Sequence, residues 1–162
     1  MKPIVYMLCG LPGSGKTTWA KKVEAQGVRR IAIDEAVFEK HGRYGQDYSE
    51  EQYREFEKHV VASLEQLLLL FLESGRPVIL DFGFWGKKNR EKYKKLIEEN
   101  DGQWKLLYFK AEPPTLMRRL QARSRRSDAN ALPVTREMLL SFVEEFEEPV
   151  GEGEEVFLQG QT

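Results

Sequence analysis

Residues 10 to 17 read Gly10-Leu11-Pro12-Gly13-Ser14-Gly15-Lys16-Thr17, the spacing G-x-x-x-x-G-K-[ST], with Thr18 directly after. Reversing the chain needs one or two glycines. Three of them, followed by a lysine and two hydroxyls, suit a loop that wraps a ligand, because glycine lets backbone N–H groups approach and point at bound phosphate oxygens. Lys16 then supplies a mobile positive charge for β- and γ-phosphates, and the Thr17 hydroxyl completes a Mg²⁺ shell. The chemistry implied is binding of ATP or GTP. Its expected contacts are Gly10, Pro12, Gly13, Ser14, Gly15, Lys16, Thr17 and Thr18.

Two acids and a set of arginines decide the fate of the bound nucleotide. Asp81 comes after Pro77-Val78-Ile79-Leu80, a run that suits a buried strand ending in a carboxylate that holds Mg²⁺ directly or through water. Thr17 and Asp81 are thus the expected metal pair. Asp34 also closes a short strand-like run, and beyond the γ-phosphate it would accept the proton of an attacking hydroxyl or orient it. A hydrolase needs only a water-positioning group there, so Asp34 alone does not separate kinase from hydrolase. Arg119 and Arg123, four apart on a predicted helix, share a face and would neutralise charge developing in the transition state. Arg125 and Arg126 would reinforce them from the next loop. A lid over about residues 116–134 would also exclude water and favour transfer to a bound hydroxyl.

These groups need a scaffold, and its elements are legible. "PIVYMLCG" reads as a strand buried on both faces, then a helix from Lys16 to about Gln26 closed by Gly27. "RRIAID" reads as a second strand finishing at Asp34, followed by a short helix and a mobile loop to Tyr48. Ser49 and Gln52 form a capping box for a long amphipathic helix carrying Tyr53, Phe56, Val60, Leu64, Leu67, Leu68 and Phe71 and closed by Gly75. "RPVILDFGF" predicts a third strand ending at Asp81, "KKNREKYKKLIEEN" a helix, and "WKLLYFKA" a fourth strand. "PPTLMRRLQARSRR" and "TREMLLSFVEEFEE" predict two more helices, and "EEVFLQG" a final edge strand. Alternation of this kind predicts an α/β fold with a parallel sheet covered on both faces.

Composition sets the remaining bounds. The 162 residues suit a single domain, with the tail 149–162 expected to be partly mobile. One cysteine, Cys9, and no Cys/His cluster point to a reducing, cytoplasmic setting with Cys9 as a small buried residue. The longest apolar run, around Leu67 to Leu72, is too short to span a bilayer. A net charge of −1 gives no global reason to bind nucleic acid. The basic stretch 86–95 and the acidic stretch 144–155 are expected to be solvated helix faces. His41 and His59 show no metal or triad spacing.

Taken together, "GLPGSGKTT", the strand-end Asp34, "VILDFGFW" with Arg90 after it, and "LMRRLQARSRR" resemble the small P-loop kinases of the polynucleotide-kinase and zeta-toxin-like group, often described as AAA-family ATP-binding proteins. The resemblance covers about Ile4 to Phe146. It implies a P-loop NTPase three-layer αβα sandwich, with a central parallel sheet of the nucleotide-kinase type. It also implies ATP with Mg²⁺ as donor and a hydroxyl as acceptor. Carried over, Lys16 and Thr17 take the phosphate and metal positions, Asp34 the general base, and Arg123 the lid arginine, with Arg119 on the same helix. Arg90 would support the site or the substrate. Polynucleotide kinases commonly place an arginine shortly after the base to grip the acceptor's phosphate; here Phe38 stands in that stretch and Glu35 adds negative charge. The expected acceptor is therefore a small hydroxyl compound, with Tyr44, Tyr48, Phe84 and Trp85 as a candidate wall for it. A polynucleotide 5′-hydroxyl kinase and an ATP-hydrolysing regulatory switch are the alternatives.

Overall fold

The computed structural model describes residues 1–42, 47–123 and 135–158, apart from the side chains of Glu50 and Arg123. Tyr44, Arg125, Arg126 and most of the expected lid lie outside the described residues, as do 159–162. Among the described residues the strands are β1 (Ile4–Cys9), β2 (Arg29–Ala32), β3 (Val78–Gly83), β4 (Gln103–Lys110) and β5 (Glu155–Leu158). The helices are α1 (Lys16–Glu24), α2 (Ile33–His41), α3 (Glu50–Glu73), α4 (Lys87–Glu99), α5 (Pro113–Arg123) and α6 (Arg136–Glu145). All pairings are parallel, in the order β2-β3-β1-β4-β5.

The layering follows from the two-residue period of a strand. On β1, Val5, Met7 and Cys9 point to one face and pack with Leu68 and Leu72 of α3 and Tyr93 and Ile97 of α4. Leu8 points to the other face, where Ala20, Trp19 and Val23 of α1 cover it. The central strand is therefore apolar on both sides, and each fully buried leucine there contributes roughly 1.5–3 kcal/mol. Burial also pushes the Cys9 thiol up to about 11, so it stays protonated at neutral pH. The capping box forms as expected: Ser49 N–H donates to Gln52 Oε1 at 2.9 Å and the Ser49 side chain accepts from the Gln52 amide. No helix among the described residues is long and apolar enough to cross a membrane.

Several element boundaries differ from those expected. β2 stops at Ala32, whose register partner is Asp81, and Asp34 sits in the first turn of α2 rather than at a strand end. There the chain turns helical, and acids in a first turn complement the positive end of the helix dipole. β3 continues two residues past Asp81, to Gly83, and α1 ends at Glu24, with Gly27 (φ 100) completing the turn beyond it. The expected final edge strand forms: β5 pairs with β4, and Phe157 stacks on Phe109 with ring centroids 5.0 Å apart.

Candidate active site

The phosphate-type loop leaves β1 at the centre of the sheet, where the order of connections reverses and α/β folds bind ligands. Its glycines are required sterically. A Cβ on Gly10 would lie 2.7 Å from the Phe109 carbonyl oxygen and 2.7 Å from Ser14 Oγ. One on Gly13 (φ +86) would meet the Leu116 carbonyl at 3.3 Å, so α5 packs directly on the loop. Gly15 caps α1 in the left-handed region and makes no side-chain cap bond, and the positive end of a helix favours an anion there. Lys16 Nζ curls over the loop, donating to the Leu11 carbonyl at 3.0 Å and to Ser14 Oγ at 3.5 Å. Ser14 is buried, Pro12 half-buried, and Thr18 exposed on α1.

Asp81 meets Thr17 here. The sheet face that carries Asp81 is the one α1 covers, and Thr17 Oγ1 donates to Asp81 Oδ2 at 3.0 Å. A hydroxyl and a carboxylate are hard oxygen donors, the kind Mg²⁺ accepts beside phosphate oxygens and water. Among the described residues no group of three or more His, Cys, Asp or Glu side chains could hold a metal ion. Sequence reading missed the third member of this set: Arg30 of β2 donates to the same oxygen at 3.4 Å.

Asp34 is exposed, yet its carboxyl is pushed above its ordinary 3.8, first by desolvation and then by the charge of Asp81; Lys16 and the Tyr53 hydrogen bond pull the other way. Because the residue surface reaches solvent, water tempers the desolvation part, and the repulsion from Asp81 is the firmer cause. Tyr53 of α3 donates to Asp34 Oδ1 at 3.3 Å, and Glu57, one helical turn on, raises the pKa of both. Tyr53 was legible only as a helix-face residue. A base must be ionised to work, so if Asp34 serves as the expected base its raised pKa moves the acid limb of kcat/KM to higher pH. Tyr53→Phe removes a bond that favours the charged form and should move that limb further up, readable in a pH–rate profile; an unmoved limb would dissociate Tyr53 from Asp34.

Arg119 of α5 donates to the Gly13 carbonyl at 3.0 Å, which brings its guanidinium to the loop. Arg123 ends the same helix, and its side chain lies outside the described residues. Arg119→Ala should lower kcat by roughly 10²-fold, the scale of a lost transition-state charge contact. Steady-state kinetics read this, and an unchanged kcat would remove Arg119 from the chemistry.

Several residues expected at the site make contacts within the fold. Phe84 is in the core and holds a left-handed backbone (φ 47), unusual for a non-glycine residue. Trp85 packs on Phe142 and donates from Nε1 to the Gly10 carbonyl at 3.2 Å, bracing the loop from behind. Tyr48 is buried with Val37 and Val60. Arg90 is fully buried: Nε and one amino group grip both oxygens of Glu152 at 2.8 and 2.9 Å, and the other donates to the Phe84 carbonyl at 2.8 Å. Lys94 adds a bond to the Glu152 carbonyl at 2.7 Å. The basic and acidic stretches, each expected to be a solvated face, are partly folded onto one another. His41 stacks on Phe56 with centroids 3.6 Å apart, and His59 is exposed on α3. Of the residues soon after Asp34, Val37 is fully buried and Phe38 half-buried, and the cations of α2, Lys40 and His41, stand in its last turn.

A family profile described as an AAA domain matches residues 5–149, from β1 through α6. The chain belongs to this AAA domain family. Among solved structures, this AAA domain chain is similar to a candidate kinase from Chloroflexus aurantiacus, with TM-score 0.74, 17% identity, and 98% of this chain and 88% of that chain covered. A chain of the Pnkp1/Rnl/Hen1 RNA repair complex gives TM-score 0.73 at 17% identity, covering 89% of this chain and 44% of that chain. A gluconokinase from Sinorhizobium meliloti 1021 gives 0.64 at 18%, covering 99% and 84%. No curated protein matches. The likenesses establish the fold, a three-layer αβα sandwich of the P-loop kinase type.

Proposed function

We propose that the protein is an ATP-dependent phosphotransferase that moves the γ-phosphoryl group to the hydroxyl of a small molecule. The observation that carries this reading is Asp34: an ionisable, solvent-reachable carboxyl within electrostatic reach of both Lys16 and Asp81, set apart from the Thr17–Asp81 pair. Lys16 and the loop amides bind and orient the phosphates. Thr17 and Asp81 hold Mg²⁺, which when bound spreads the charge on the β- and γ-phosphoryl oxygens. Asp34 takes the proton of the acceptor hydroxyl as its oxygen bonds to phosphorus and the bond to the ADP oxygen breaks. Arg119, with Arg123, offsets charge on the transferring group.

A small acceptor is favoured over a nucleic-acid end. Glu35 and Glu57 stand near Asp34, and the next turn of α2 carries the apolar Val37, fully buried, and Phe38, half-buried. The RNA-repair neighbour keeps the 5′-hydroxyl alternative worth a direct arm in the test. Label transfer from γ-³²P-ATP with Mg²⁺ is measured to gluconate and other sugar alcohols and acids, to a 5′-OH oligonucleotide, and to water alone. Asp34-dependent label on a small acceptor supports the proposal. Label on the oligonucleotide makes the protein an end kinase, and release of inorganic phosphate alone, unaffected by any acceptor, favours a hydrolysing switch.

A further inference from the structure

Arg30 belongs to no motif. Its register partner on β3 is Ile79, two residues before Asp81, so its side chain shares a sheet face with Asp81 and with α1. The guanidinium is buried, with 6% of the side chain exposed. One amino group donates to Asp81 Oδ2 at 3.4 Å, the oxygen that also accepts from Thr17 at 3.0 Å. The other binds Glu35 in the first turn of α2. Nε lies 3.8 Å from Glu24 of α1, beyond hydrogen-bond distance, and is a buried donor with no partner.

Leaving Nε unbonded is unfavourable, and the two amino-group bonds to Asp81 and Glu35, together with the charge of the surrounding acids, keep the guanidinium in place. The three acids around it are not equivalent. Glu24 and Glu35 have 43% and 32% of their side chains exposed, whereas Asp81 has 5%. Solvent screens the two glutamates; the Asp81 charge is screened least and depends most on a neighbouring cation. Burial works against charge on Arg30, but the bond to Glu35 and the charges of Glu35, Asp81 and Glu24 outweigh it and hold the guanidinium cationic.

We propose that Arg30 is the resident counter-cation of Asp81: it aims Oδ2 at Thr17 and keeps a free divalent ion off that carboxylate until phosphate oxygens share the ion. The inference rests on reading Thr17 and Asp81 as the metal pair. Its physical basis is short range. A fixed positive charge on the same oxygen repels an incoming divalent cation, and the negative charge of bound phosphates reverses that balance. Metal then enters with the nucleotide rather than before it.

The probe is Mn²⁺, followed by its EPR signal on the full chain, without nucleotide and with ADP. The wild type should bind free Mn²⁺ weakly and bind it far more tightly with ADP. Arg30→Gln should tighten free Mn²⁺ binding by about tenfold or more, while Arg30→Lys, which keeps the charge, should behave as the wild type. Adding Asp81→Asn to Arg30→Gln should abolish the gain. Free Mn²⁺ binding that is unchanged or weaker in Arg30→Gln overturns the proposal. Should that variant not fold, Arg30→Gln with Glu35→Gln, which removes the stranded acid as well, carries the same test. Asp81→Asn alone separates the two failures. If it leaves Mn²⁺ binding with ADP unchanged, the metal-pair reading is wrong; if it weakens that binding while Arg30→Gln changes nothing, only the role of Arg30 is wrong.

Discussion

Asp34→Asn should reduce phosphoryl transfer by on the order of 10²–10⁴-fold, the range that a positioned general base contributes, and leave nucleotide affinity nearly unchanged. The amide matches the carboxylate in shape and still accepts from the Tyr53 hydroxyl, so the α2–α3 contact survives. What it cannot do is accept a proton. Binding should be spared because the loop contacts of Lys16 and the Thr17–Asp81 pair do not involve Asp34. Folding stability should hold or rise slightly, since the substitution removes repulsion from Asp81 that raises the Asp34 pKa. Transfer from labelled ATP, measured beside nucleotide binding by calorimetry, separates these effects. Normal turnover would take Asp34 out of the chemistry.

The second large effect is on stability. Arg90 has no solvent exposure and Glu152 only 7%, so Glu152→Gln leaves a buried guanidinium without its bonded counter-charge. Breaking a buried pair from one side costs about 3–5 kcal/mol. The glutamine amide keeps part of the hydrogen bonding, which favours the lower end of that range. For a domain of this size that is a fall in Tm of roughly 6–12 °C. The loss should reach the active site, because Arg90 also holds the Phe84 carbonyl and Trp85 braces Gly10. Nucleotide affinity should therefore weaken in the same variant. An unchanged Tm in calorimetry would show that the bridge contributes nothing net.

The same bridge sets a pH dependence whose sign is definite. Glu152 is held below its ordinary 4.5, chiefly by the Arg90 hydrogen bond, against a smaller opposing effect of burial. A depressed folded-state pKa gives stability that is complete above the unfolded value and is lost as pH falls through the folded one. Wild-type Tm should therefore drop below about pH 4.5 more steeply than that of Glu152→Gln. Equal acid slopes would contradict this account.

What could be read along the chain was what depends on neighbours in sequence. The phosphate loop is eight consecutive residues whose function lies in local backbone shape, so Gly10 to Thr17 carry their own interpretation. The alternation of strands and helices was legible for the same reason, since a two-residue or a 3.6-residue period is a local property. Asp34 and Asp81 were found as acids after apolar runs, though β2 stops short of Asp34 and β3 runs past Asp81, because sheet pairing rather than local pattern decides where a strand ends. Arg119 was found by its spacing, but not its bond to the Gly13 carbonyl.

Only the tertiary structure decided which charged and aromatic residues are scaffold and which belong to the site. Arg30 meets Asp81 across 51 residues, Tyr53 meets Asp34 across 19, and Arg90 meets Glu152 across 62. No periodicity announces such partners, and a buried arginine in a basic run looks like its solvated neighbours until the chain folds. The sequence by itself determined that this protein holds a phosphate loop on an α/β sheet. The pairing of β2 with β3 and the packing of α3 on α2 decided that Arg30 meets Asp81 and Tyr53 meets Asp34, because electrostatic contacts depend on distance in space, which local pattern does not carry.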